Sequence, residues 1–241
     1  MESQQLFSFP RFMMVARFYY PRLKKQIIIL PIVAFVIGLL SIVSFVKDMK
    51  GTYVIAALIL GACYTFSPLI FATRKGIEIE TMLPATWVEK SVFIIGYCIV
   101  GISVLYFVPI FISEMVAHTF IDYSCKELYQ RMVEQVIIYN ISYNIVSSIF
   151  YVVTCMTAVI CSIRHRVLNG ILWVILINIV FFTAGAIEGF LAATRAENLD
   201  EISSVVHDVM DPIHNWLIAV MIALIIAMIL FTVHKIKNRQ I

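Results

Sequence analysis

Trp216-Leu217-Ile218-Ala219-Val220-Met221-Ile222-Ala223-Leu224-Ile225-Ile226-Ala227-Met228-Ile229-Leu230-Phe231-Thr232-Val233 is an eighteen-residue stretch without one charged side chain. A helix crossing a bilayer needs ~20 apolar residues, and strands are far shorter. Working outward, five more runs of this kind lie at 27–46, 52–72, 91–112, 136–163 and 167–187; Arg164, His165 and Arg166 stand between the last two. They lack the alternation of an outer-membrane barrel, and in lipid each backbone N–H and C=O has to be bonded within its own segment. The sequence therefore predicts six helices. Of 241 residues, 61% are hydrophobic and 14% charged, and the mean hydropathy is +0.94. Soluble domains are nearer half apolar and a quarter charged, which excludes a cytosolic enzyme or a nucleic-acid binder.

Charge sets the orientation. Thirteen of the eighteen Lys and Arg residues fall in the N-terminal segment, the loops after spans two and four, and the tail. Eleven of the fifteen Asp and Glu residues fall on the opposite side. By the positive-inside rule both termini are expected in the cytoplasm. The expected fold is all-α and integral to the membrane, with an N-terminal interfacial elbow helix. Residues 1–26 form a cytoplasmic amphipathic segment, 27–233 the six-helix domain, and 234–241 a basic cytoplasmic tail. Met1–Gln5 and the basic cluster ahead of a full-length run do not have the pattern of a removable signal peptide.

Several segments between the runs carry helix signals. Phe12, Val15, Ala16 and Tyr19 share one face, among Arg11, Arg17, Arg22, Lys24 and Lys25. This predicts a helix lying on the cytoplasmic leaflet, ended or bent by Pro21. In the 73–90 loop, Thr86-x-x-Glu89 is a capping box and Pro84 disfavours helix at Leu83. A short charged segment, a turn and a capped span would make a rigid knob. Outside, Ser124-x-x-Glu127 is a second box leading into span four. In the 191–215 segment, Ile202, Val205, Val206 and Val209 predict an amphipathic helix stopped near Asp211-Pro212.

Candidate chemistry is sparse. His207, Asp208, Asp211 and His214 are the one cluster with ligand-type residues, but Pro212 interrupts their spacing and a solvated acidic cap is the expected reading, so no metal or cofactor is assigned. Glu188, an ionisable residue at the outer end of span five, is a candidate pathway or gate group. Gly185-xxx-Gly189 and Ala57-xxx-Gly61 are candidate dimer seams. The five cysteines have no metal or redox spacing. No H-E-x-x-H, G-x-S-x-G or phosphate-loop motif is present, so no catalytic residue is assigned.

Taken together, the basic elbow, the six spans, the outer segment between spans five and six, and above all Gly76…Glu80…Leu83-Pro84-Ala85-Thr86…Glu89-Lys90 resemble the permease subunit of a type-2 ABC transporter of the exporter-like family. The resemblance covers the whole chain in layout and about fifteen residues in motif. It implies that two permeases, identical or related, face each other around a pathway, while a separate ATP-binding subunit hydrolyses ATP with Mg. Glu78, Glu80, Leu83, Pro84, Thr86, Glu89 and Lys90 would then form the coupling segment, with Glu78, Glu80 and Glu89 pairing with basic groups on the ATPase. It further implies a multi-pass protein of a bacterial inner membrane. A non-transporting membrane scaffold or sensor subunit is the alternative, and an intramembrane enzyme around Glu188, His207 and His214 a third.

Overall fold

A computed structural model describes residues 7–46, 50–72, 85–120, 141–162, 164–195 and 202–238. Among these residues the chain is nearly all helix, without strands. The helices are α1 (Phe9–Val46), α2 (Lys50–Thr65), α3 (Trp87–Gly96), α4 (Ile102–Phe120), α5 (Ile141–Cys161), α6 (Arg166–Arg195) and α7 (Ile202–Asn238). A 3-10 turn, Ser67–Ala72, follows α2, and a π-turn, Tyr97–Gly101, joins α3 to α4. Among the described residues, three helical segments are long and apolar enough to cross a membrane: Phe9–Val43, Trp87–Ala117 and Trp216–Asn238. Leu58–Ala72, Ile145–Cys161 and Arg166–Val180 are shorter apolar helices.

Contacts fix the relative directions. Phe12 packs on Phe93 near the start of α3, and Gly38 lies against Ser113 of α4, so α1 runs alongside α3 and α4 in the same sense. A Cβ at Gly38 would sit 2.5 Å from Ser113 Oγ, so these helices approach as closely as glycine permits. Asn169 of α6 reaches back to Ser162 just beyond α5, closing an antiparallel pair. Thr154 and Thr157 of α5 meet Met228 and Thr232 of α7 in register. The core stripe of α1 is Val15, Tyr19, Leu23, Leu30 and Ala34, packed with Leu60, Tyr64, Ile94, Cys98, Ile102, Val152 and Met156. The spacing of that stripe keeps one helix face inward.

Two sequence expectations are corrected here. α1 continues through Pro21 and Pro31 as one 38-residue helix, with no separate elbow element. Val15 and Tyr19, assigned by their spacing to a headgroup boundary, are buried. The Tyr19 ring stacks on Phe93 at 5.2 Å and meets Phe71 edge-on at 5.5 Å. A missing N–H at proline costs one helical hydrogen bond, and burial of Tyr19 and Leu23 on either side of Pro21 offsets it. Likewise, α7 runs without interruption through Asp211-Pro212, where a stop was expected.

Candidate functional site

The end of the structure nearest the 73–90 loop is organised by one carboxylate. Thr86 is the N-cap of α3, and the capping box closes in both directions: the Thr86 side chain takes the Glu89 N–H, and the Glu89 carboxylate takes the Thr86 N–H. That second bond is 2.6 Å long at Oε2, and the Thr86 hydroxyl donates to the same oxygen at 2.7 Å. Oε1 serves the other direction. It accepts the Ser8 N–H at 2.7 Å and the Arg11 Nε–H at 2.9 Å. The Glu89 side chain is fully buried, while Arg11 keeps 29% of its surface exposed. A buried carboxylate is tolerable only with such a set of donors around it.

This carboxylate thus joins the cap of α3 to the first turn of α1, which lies 78 residues away in sequence. A second clasp comes from the other end of the chain. Lys237, in the last turn of α7, sits 5.5 Å above the Trp87 ring at the first position of α3. Behind the node, Phe12, Tyr19, Phe71, Phe93 and Tyr97 form a continuous aromatic cluster. The start of α3 is therefore held from both sides, by the opening of the chain and by its last helix.

Glu89 was expected to pair with basic groups on a partner, and here the geometry requires a correction. Its two oxygens are occupied by donors of its own chain and the side chain is fully buried, so the carboxylate holds the cap of α3 to the start of α1 instead of facing outward. Lys90 is buried next to it. Glu78, Glu80, Leu83 and Pro84 lie outside the described residues. Gly185, Glu188 and Gly189 fall on α6, and Ala57 on α2, with surroundings outside the described residues. The same holds for His207, Asp208, Asp211 and His214 on α7. Gly61 is exposed, with nothing within 4 Å of where a Cβ would stand.

A polar chain crosses the interior farther along the helices. The Tyr97 hydroxyl donates to Gln26 Oε1 at 3.2 Å, and Gln26 Nε2 donates to the Ser67 carbonyl at 3.0 Å. Ser67 Oγ bonds the Tyr64 carbonyl at 2.7 Å, and the Tyr64 and Ser103 hydroxyls are 2.9 Å apart. Ser103 in turn donates to the Ile99 carbonyl inside the π-turn. One Gln side chain thus ties α1 to the 3-10 turn after α2 and to the π-turn between α3 and α4. Such interhelical bonds favour one packing arrangement in apolar surroundings. Sequence reasoning missed Ser8 and Gln26, and placed Arg11 only among the basic residues of the N-terminal segment. Gln26 directly before an apolar run was a usable signal; nothing local marks Ser8.

Compared with known proteins, the chain matches no family model, no curated protein and no solved structure.

Proposed function

We propose that this chain is the permease subunit of an ATP-driven ABC transporter, working as a dimer and coupled through the 73–90 loop to a separate ATPase. The observation that carries this reading is the Glu89 node. A loop that receives a mechanical push has to end on a rigid support, or the displacement is lost in local bending. The loop ends at Thr86 and Glu89, in a closed capping box fixed to α1 by Ser8 and Arg11 and bracketed by Lys237. A push there is delivered to three helices together.

The six apolar helical regions, with α1 parallel to α3 and α4 and α5 antiparallel to α6, support a six-span arrangement. Both the first turn of α1 and the last turn of α7 meet the start of α3, which supports placing the two termini on one side. The charge asymmetry makes that side cytoplasmic, and a bacterial inner membrane suits the reading. ATP and Mg would bind the partner; this chain contributes the pathway and the lever. Glu78 and Glu80, ahead of the braced turn, are the acidic groups assigned to the partner's basic residues.

The test is the double substitution Glu78→Lys with Glu80→Lys, made in membranes that also contain the ATP-binding subunit recovered with the chain. Loss of complex formation and of ATPase stimulation is expected, with the folded yield of the chain unchanged. Unaltered complex formation and stimulation would remove the coupling assignment.

A further inference from the structure

A groove of about 780 Å³ opens between α2, α4, α5 and α6. Such a volume lies in the range of sites that take small organic ligands, roughly 300–1,000 Å³. Its wall has two kinds of surface. Tyr64, Tyr106, Ser147, Ser148, Tyr151 and Asn178 bring hydroxyl and amide groups from all four helices, while Leu58, Phe107 and Ile179 supply apolar surface. Among its fifteen described lining residues none is charged.

The polar side is built. Tyr64 is buried and its ring is fixed against Tyr106 at 4.7 Å and Phe107 at 5.5 Å. Its hydroxyl is held by Ser103 at 2.9 Å, which connects the groove wall to the polar chain around the π-turn. Asn178 donates its amide to the Val174 carbonyl at 2.9 Å, so its oxygen is the atom that faces the task of accepting. The groove is open at Gly61, where nothing lies within 4 Å of where a Cβ would stand.

These features select a ligand class by exclusion. A phosphate, carboxylate or ammonium group would enter with no counter-charge among the described lining residues, and burying an unpaired charge is costly. A purely apolar molecule would return no hydrogen bond to the Asn178 amide oxygen, whose NH2 is already committed to the Val174 carbonyl. We propose that the groove binds an uncharged amphiphile, with acyl-type chains along the Leu58, Phe107 and Ile179 surface and a compact head of hydroxyl or ester groups at Tyr64, Ser147, Tyr151 and Asn178. The site stands on the groove's own chemistry and needs no ATPase.

The test uses the purified full chain in detergent, without ATP or partner, so its outcome is separate from that of the coupling experiment. The chain is offered an equimolar mixture of dioleoylglycerol and dioleoyl phosphatidic acid, and retained lipid is read by native mass spectrometry. Dioleoylglycerol should be retained at least about tenfold over the acid of identical chains, since the two differ only in the charged phosphate that replaces the head hydroxyl. Gly61→Trp, which places its ring in the open groove, should abolish retention. Val100→Trp, on a surface-exposed site away from the groove, should leave it intact. Equal or preferential retention of phosphatidic acid would overturn the ligand class. Retention of neither lipid, or retention unaffected by Gly61→Trp, would overturn the site. So would crosslinks between two copies of the chain at Gly61 that exclude dioleoylglycerol.

Discussion

Arg11 Nε lies 2.9 Å from Glu89 Oε1, although the two residues are 78 positions apart. The pair joins the first turn of α1 to the cap of α3. Glu89 is the buried member and Arg11 the partly exposed one. Removing either is therefore not equivalent.

Glu89→Gln should be the more damaging change. The amide keeps one acceptor and sets its NH2 against donors from Thr86, Ser8 or Arg11. Loss of a partner in a buried pair costs about 3–5 kcal/mol. Arg11→Ala should cost roughly 1 kcal/mol, because water reaches the vacated side and Ser8 and Thr86 still serve the carboxylate. Thermal unfolding of both variants and of the double variant in detergent should show strong non-additivity. Additive losses would mean that the two side chains act independently.

Gly38 and Gly61 should respond in opposite ways to an added methyl. Gly38→Ala forces Ser113 or the α1–α4 contact to move, since the new carbon would stand 2.5 Å from Ser113 Oγ. Overpacking of this kind costs about 1–3 kcal/mol. Gly61→Ala meets open space and should be neutral or slightly stabilising, as alanine is the better helix former. Melting temperatures measured side by side decide the matter; equal shifts would contradict the close approach of α1 and α4.

Gln26→Leu should cut the polar chain at its centre. The Tyr97 hydroxyl and the Ser67 carbonyl each lose their bond to this side chain. Interhelical hydrogen bonds in apolar surroundings are worth about 0.6–2 kcal/mol, so a loss near 1 kcal/mol is expected. Adding Tyr97→Phe should then cost little more, because its partner is already gone. A second full decrement would separate Tyr97 from the network.

Cysteine accessibility gives an independent reading of the packing. Cys98 and Cys155 are wholly buried, whereas Cys63 and Cys161 are partly exposed. In a Cys125→Ser background, a membrane-permeant maleimide should modify Cys161 at the end of α5 first. Cys98 and Cys155 should react only after denaturation. Rapid labelling of Cys98 in the folded chain would contradict the position of α3 and α4 against α1.

Much of this arrangement was legible in the residues alone. The apolar runs announced the helices because exclusion from water leaves a signal in composition at every position. The Thr86–Glu89 box was legible because its spacing is local, and it is present. The continuation of α1 past Pro21 and of α7 past Pro212 was not, since local propensity favours a break at proline; in α1 the burial of Tyr19 and Leu23 on either side of Pro21 decides otherwise. The Arg11–Glu89 bond and the Gln26 junction were invisible for another reason. Both join residues brought close only by helix packing, and no periodicity encodes such a meeting. The groove likewise depends on four helices at once, so its hydroxyl groups look in sequence like scattered Ser and Tyr residues of apolar helices.

The central claim is that this chain works with a separate ATPase, and co-purification tests it most directly. The chain is isolated by affinity from membranes in mild detergent, and the recovered proteins are identified and quantified by mass spectrometry. Recovery of a soluble ATP-binding subunit in near one-to-one ratio is the expected result, with that ratio collapsing in the Glu78→Lys, Glu80→Lys variant. Recovery of the folded chain without any ATPase, across several detergents, would contradict the permease account and favour a membrane scaffold.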